Sequence, residues 1–137
     1  MTLSMSEILK KTESTSGRKA KVEFLRQNYS KQMHELLAFG YDDRIKWLLP
    51  ESNPPYTPGQ TGEAQGMLYS QARKTYLFVE GGTGANLPQH RREELFIQLL
   101  ETIDPDDAKL VLSLKNKKIP YKGITQKLIE EAWGIPK

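Results

Sequence analysis

Apolar residues recur at helical intervals along most of this chain, and two stretches rich in glycine and proline interrupt the pattern. The segment from Pro88 onward is the most regular: Leu95, Phe96, Leu99, Leu100 and Ile103 fall one and four residues apart, which gathers them on one face of a predicted helix. Asp104 then stands where a cap is wanted, with Pro105 at the first helical position and Asp106 and Asp107 near the positive end of the dipole, so a second helix is predicted there. Its apolar positions are Ala108, Leu110, Val111, Leu112 and Leu114; it runs into Lys115, Asn116, Lys117 and Lys118, and Ile119-Pro120 stops it. A third helix is predicted from Thr125 as cap, with Ile124 stapled on Ile129 and Leu128, Ile129, Ala132 and Trp133 on the buried side. Gly134 is the predicted left-handed stop, with Ile135 folding back on Ile129 and Pro136 barring continuation. The short links predict that these three helices pack on one another as a hairpin-like unit.

The first third of the chain reads as four short helices. Ser4 and Glu7 have the spacing of a capping box for a helix from Met5 to Thr12 carrying Met5, Ile8 and Leu9. After a break over Glu13 to Gly17, a second helix from Arg18 carries Val22 and Leu25, and Ser30 caps a third with Met33, Leu36 and Leu37 that should end at Gly40. Asp42 is the expected cap of a brief fourth helix in which Ile45, Leu48 and Leu49 face inward until Pro50. These four are expected to stack as two antiparallel pairs, none being long enough to hold alone. From Pro50 to Gly62 the prolines and glycines predict a long loop. A fifth helix from Glu63 to Val79 with Leu68, Ala72, Tyr76 and Val79 on one face should end at Gly81-Gly82-Thr83-Gly84.

The pattern therefore predicts an all-α, compact single-domain bundle of about seven short helices with a long Pro/Gly-rich loop. Residues 1–137 form one domain, with N-terminal short helices over 1–49, the loop over 50–62 and a C-terminal helical unit over 63–137. Composition leaves that picture standing: 137 residues with 37% hydrophobic and 27% charged residues suit a folded domain with a real core. The absence of cysteine excludes disulfides, thiol catalysis and thiolate metal sites. No apolar run approaches the roughly 20 residues that span a bilayer and no signal peptide opens the sequence, so the expected location is a cytoplasm and no membrane partner is expected.

Net charge of +3 says little, but its distribution says more. Lys115, Lys117, Lys118, Lys122 and Lys127 crowd around a Pro-Tyr-Lys-Gly turn in which Tyr121 is placed to stack on a base, a candidate nucleic-acid-binding surface. Arg18, Lys19 and Lys21, preceded by Lys10 and Lys11, form a second basic stretch. The bland alternative is that these lysines complement a helix terminus and keep the surface soluble. In the glycine cluster, Gly82 and Gly84 with Arg91 and Arg92 make a weaker anion-binding candidate, since the Gly-Lys-Ser/Thr of a phosphate loop is missing. His34 and His90 stand alone, so no metal site, cofactor or catalytic residue is assigned.

Trp47-Leu48-Leu49-Pro50-Glu51, Pro55-Tyr56, Tyr76 and Phe78 with Gly81-Gly82, Asn86-Leu87-Pro88, Arg91-Arg92-Glu93 and Phe96-Ile97-Gln98-Leu99-Leu100-Glu101 resemble a set of small proteins of contractile-tailed phages, notably marine cyanobacterial ones. Pro120-Tyr121-Lys122-Gly123-Ile124-Thr125 and Glu131-Ala132-Trp133 are similar too, so the resemblance covers about residues 45 to 133. It implies a phage origin and carries no catalytic residue. The expectation is a non-enzymatic accessory protein that works in the infected host cytoplasm by binding a protein or nucleoprotein partner, host or phage, with replication and transcription machinery among the candidates. A nonspecific nucleic-acid-binding protein using the lysine patch is one alternative, and a phosphate-binding enzyme at the glycine loop is another.

Overall fold

The computed structural model describes residues 3–59 and 67–134. Among the described residues the chain forms seven α-helices and a single 3-10 helix: α1 Met5–Ser14, α2 Arg18–Gln27, α3 Lys31–Tyr41, α4 Met67–Gln71, the 3-10 helix Ala72–Phe78, α5 Gln89–Thr102, α6 Pro105–Lys115 and α7 Gln126–Trp133. Extended pairing among these residues is limited to an isolated antiparallel bridge between Trp47 and Val79. The predicted all-α class holds, and one continuous apolar core draws on helices from both ends of the chain.

Helix starts follow the side chains available to satisfy free amides. The Ser4 hydroxyl accepts from Glu7 N–H at 3.2 Å while the Glu7 carboxylate accepts from Ser4 N–H at 3.1 Å, a closed capping box. Ser30 accepts from Met33 N–H, Asp104 from Asp106 N–H and Thr125 from Leu128 N–H, at 3.1, 2.9 and 3.2 Å. Gly134 closes α7 at φ +83°, a conformation that side chains disfavour. The predicted fold-back of Ile135 and the stop at Pro136 lie outside the described residues.

Packing departs from the order expected along the chain. α1 lies on α2 and α5 on α6, but α3 packs on α6 and α7 packs on α2. The indole N–H of Trp133 donates to Leu25 C=O at 2.8 Å, and the Arg26 guanidinium donates to the carbonyls of Ala132 and Glu131 at 3.2 and 3.1 Å. The last helix is thus tied to the second, which takes α7 out of the expected hairpin-like unit while α5 and α6 keep their packing. Gly40 does not end α3, which continues to Tyr41. It instead lets α3 approach α6, because a Cβ there would stand 2.4 Å from Leu114 Cδ2.

The expected fourth helix does not form. The Asp42 carboxylate accepts from Arg44 N–H at 2.9 Å, closing a tight turn, and the chain then runs extended. Leu48 N–H donates to Phe78 C=O at 2.7 Å and Glu80 N–H to Lys46 C=O at 2.8 Å, so cross-chain bonds take the place of helical ones. The fifth helix is also shorter than expected. Its predicted first residues, 63–66, lie outside the described residues; α4 begins at Met67, tightens into the 3-10 helix after Gln71, and Val79 is extended. Of the 50–62 loop, residues 50–59 are described and contain no regular element.

Candidate functional site

The lysine-rich segment is assembled at the end of α6, and its two ends behave differently. Lys115 is 6% exposed, and its ammonium donates to the carbonyls of Pro50 and Glu51 at 2.8 and 3.2 Å and to the Asn116 side-chain oxygen at 2.9 Å. Lys117, in the left-handed region at φ +60°, sends its ammonium to the carbonyls of Phe39, Asp42 and Ile45 at 3.0, 2.7 and 3.1 Å. Burial lowers the pKa of both. Tyr121 packs against the core, and burial pushes its hydroxyl up to about 12, with Asp107, Asp106 and Glu13 adding to the effect. Lys118, Lys122 and Lys127 are exposed. Of the six residues expected to contact nucleic acid, Lys115 and Tyr121 are built into the fold, Lys117 is exposed but spends its ammonium on backbone carbonyls, and Lys118, Lys122 and Lys127 face solvent.

The glycine cluster is closed in the same way. A Cβ on Gly82 would stand 2.0 Å from Tyr76 O, and one on Gly84 2.3 Å from Leu77 O, so both glycines let the turn fold under the 3-10 helix. Gly82 N–H donates to Val79 C=O at 3.1 Å. Arg92 is buried and donates to Gly84 C=O at 3.0 Å, to Leu87 C=O at 3.2 Å and to the Gln89 side chain. Gly84 and Arg92 do meet, but as carbonyl and guanidinium clasping a turn. Arg91 is exposed and pairs with Glu94 at 3.1 Å.

The two histidines part company. His34 is buried, with its Nε2 3.0 Å from Gly134 C=O and its ring edge-on to Tyr29 and Trp133, so it locks α3 to the end of α7. His90 is exposed. Asp107 is fully buried; its Oδ1 accepts from Ser6 N–H at 3.0 Å while its Oδ2 has no partner, and burial raises its pKa.

A broad concavity lies elsewhere, and sequence reasoning missed it. A cleft of about 540 Å³ opens between α3, the 42–45 turn, the glycine turn and the flank of α7. Phe39, Ile45, Val79 and Tyr76 supply its apolar and aromatic wall, and Tyr76 is 40% exposed. Glu35, Asp42, Glu80 and Glu130 face it against a single cation, Arg44. That cation is already taken: Arg44 grips Asp42 at 2.8 Å, and its hydrogen bonds hold the Asp42 carboxyl down to about 2. Burial raises the pKa of the Tyr76 hydroxyl, with the Glu35 carboxylate adding to the effect, and Glu35 has only a loose 3.9 Å pairing with Lys31. Glu80 and Glu130 have no ion-pair partner among the described residues. The Tyr41 hydroxyl oxygen, also at this cleft, is buried without a hydrogen bond. These groups come from three separate stretches of the chain, 35–45, 76–82 and 126–130, and only the α3 residues share a sequence pattern that could have joined any of them.

The model of a family of unknown function, DUF6433, matches residues 8–121. The chain belongs to the DUF6433 family. The match takes in α1 to α6, the glycine turn and most of the cleft wall, leaving α7, with Gln126 and Glu130, beyond its edge. No curated protein and no solved structure matches the chain. Among the described residues of this DUF6433 member, no group of three His, Asp or Glu side chains is close enough to hold a metal ion, and no helix is long and apolar enough to cross a membrane.

Proposed function

We propose that this DUF6433 member is a non-enzymatic binding protein that holds a partner polypeptide in the α3 cleft, an accessory role of the kind that its phage-type resemblance implies. The observation that carries the reading is the contrast between satisfied and unsatisfied charge. Arg92, Lys115 and His34 are buried ionisable groups with internal partners, whereas the cleft keeps Glu80 and Glu130 without an ion-pair partner among the described residues beside an aromatic wall. Aromatic side chains and unpaired polar groups around a concavity are what a protein partner uses for anchoring and orientation. A selection of displayed random peptides against the full chain tests it. Sequences enriched on the wild type and lost on Tyr76→Arg, which plugs the cleft, are expected; enrichment of no sequence overturns the reading.

One observation favours a second reading. The Tyr121–Thr125 turn docks on the corner between α1 and α2: Lys122 N–H donates to the Glu13 carboxylate, and the space beside Gly123 is met by Lys21 Cε at 3.7 Å. The two basic stretches of the sequence thereby become neighbours, with Lys11, Lys19 and Lys122 exposed. Nonspecific retention on single-stranded nucleic acid, falling with salt and lost on charge reversal of Lys19 and Lys122, would support that surface; no retention at low salt removes it.

A further inference from the structure

We propose that the α3 cleft takes an arginine-bearing segment of the partner polypeptide, with the guanidinium on the Tyr41 hydroxyl, ringed by Glu35, Glu80 and Glu130, and the flanking residues running along Tyr76. The inference rests on the partner-binding reading and names the chemistry of the occupant. Four features of the cleft select it. First, its charge is one-sided, since Arg44 neutralises only Asp42 and leaves Glu35, loosely paired with Lys31 at 3.9 Å, and Glu80 and Glu130, without an ion-pair partner among the described residues, facing the concavity. Second, the Tyr41 hydroxyl oxygen is buried and has neither donor nor acceptor. Leaving such a group unpaired is costly, and an occupant that donates to it recovers the loss. Third, the carboxylates are spread rather than convergent, because no three acidic or histidine groups among the described residues come close enough for a metal ion. A planar fork with five N–H donors can reach dispersed acceptors that a compact ion cannot bridge. Fourth, Tyr76 is exposed at the rim, where a guanidinium can lie against its ring.

A polypeptide rather than a free cation follows from the shape. Glu35, Phe39 and Tyr76 also line a second depression of about 350 Å³, with Gln32, Leu36, Tyr69 and Arg73 on its far side. The two hollows share Glu35, Phe39 and Tyr76 as a common wall, so a chain crossing that wall finds room for side chains on either side. Anionic ligands are repelled by the same carboxylates.

The test is a titration of the full chain with a fluorescein-labelled glycine-serine peptide carrying two arginines, beside matched peptides carrying citrulline or lysine. Arginine is expected to bind at least about tenfold more tightly than citrulline, its uncharged near-isostere, and more tightly than lysine. Glu35→Gln with Glu130→Gln should cost about tenfold in affinity with the circular dichroism spectrum unchanged, and Tyr41→Phe should narrow the preference for arginine over lysine. Equal binding of the arginine and citrulline peptides, or indifference to the glutamate pair, overturns the proposal. The two levels fail separately: peptides enriched in the display selection and lost on Tyr76→Arg but containing no arginine would sink this inference and leave partner binding intact, whereas no enrichment at all would sink both.

Discussion

The segment after α6 and the cleft beside α3 are both rich in charge, yet they use it in opposite ways. After α6, Lys115 is buried and Lys117, though exposed, reaches back along the surface, and both ammonium groups end among backbone carbonyls. At the cleft, Glu80 and Glu130 have no ion-pair partner among the described residues, since Arg44, the cation that lines it, is held by Asp42. Density of charge along a sequence therefore does not locate a binding surface; what matters is whether the fold brings counter-groups to those side chains. Where irregular backbone passes close by, as residues 39 to 52 pass the α6 terminus, lysines act as its donors. Where only other acids and aromatic rings converge, the charge stays available.

The sharpest way to break this contrast is to damage the backbone that frames the cleft. Gly82→Ala forces a Cβ onto Tyr76 O and should lower stability by about 3 kcal/mol, read as a large drop in the urea midpoint. Next comes Lys115→Met, which leaves the carbonyls of Pro50 and Glu51 without their donor; a loss of about 2 kcal/mol is expected, while Lys118→Met at an exposed site should stay within about 0.5 kcal/mol of wild type. A difference of that size between two lysines three residues apart would establish the inward role, and equal effects would refute it.

Asp107, at the opposite end of α6, sharpens the comparison through pH. Its pKa is raised by burial, so the neutral carboxyl is the form the fold favours; that contribution is complete below the unfolded pKa and is lost as pH rises through the folded one. Melting curves should accordingly show Asp107→Asn gaining on the wild type as pH rises from acid towards neutrality, and parallel curves would exclude the effect. The smallest change is expected at Glu130→Gln: within about 0.5 kcal/mol for folding despite a measurable loss of peptide affinity, because its carboxylate has no ion-pair partner among the described residues.

The helix starts were legible because they are local. Ser4, Ser30, Asp104 and Thr125 each bond an amide two or three residues away, within reach of any sequence window. The segment from Asp42 to Leu49 was misread because its outcome depends on Phe78 and Glu80, some thirty residues later in the chain, taking its backbone hydrogen bonds. Lys115 looked like a surface charge for the same reason: the carbonyls that bury it lie on the proline-rich stretch that returns to α6. The candidate site suffered most, since Tyr41, Tyr76, Glu80 and Glu130 become neighbours only once α7 has crossed to α2 and the glycine turn has folded beneath the 3-10 helix.

Lys117 links the two regions mechanically. Its ammonium grips the main chain at Asp42 and Ile45, two residues that form one bank of the cleft, while its own amide donates to Leu114 C=O and closes the last turn of α6. One side chain thus works as a strut between the bundle's central helix and the wall against which an occupant would press. An occupant pressing on that wall would bear on the end of α6 through this strut.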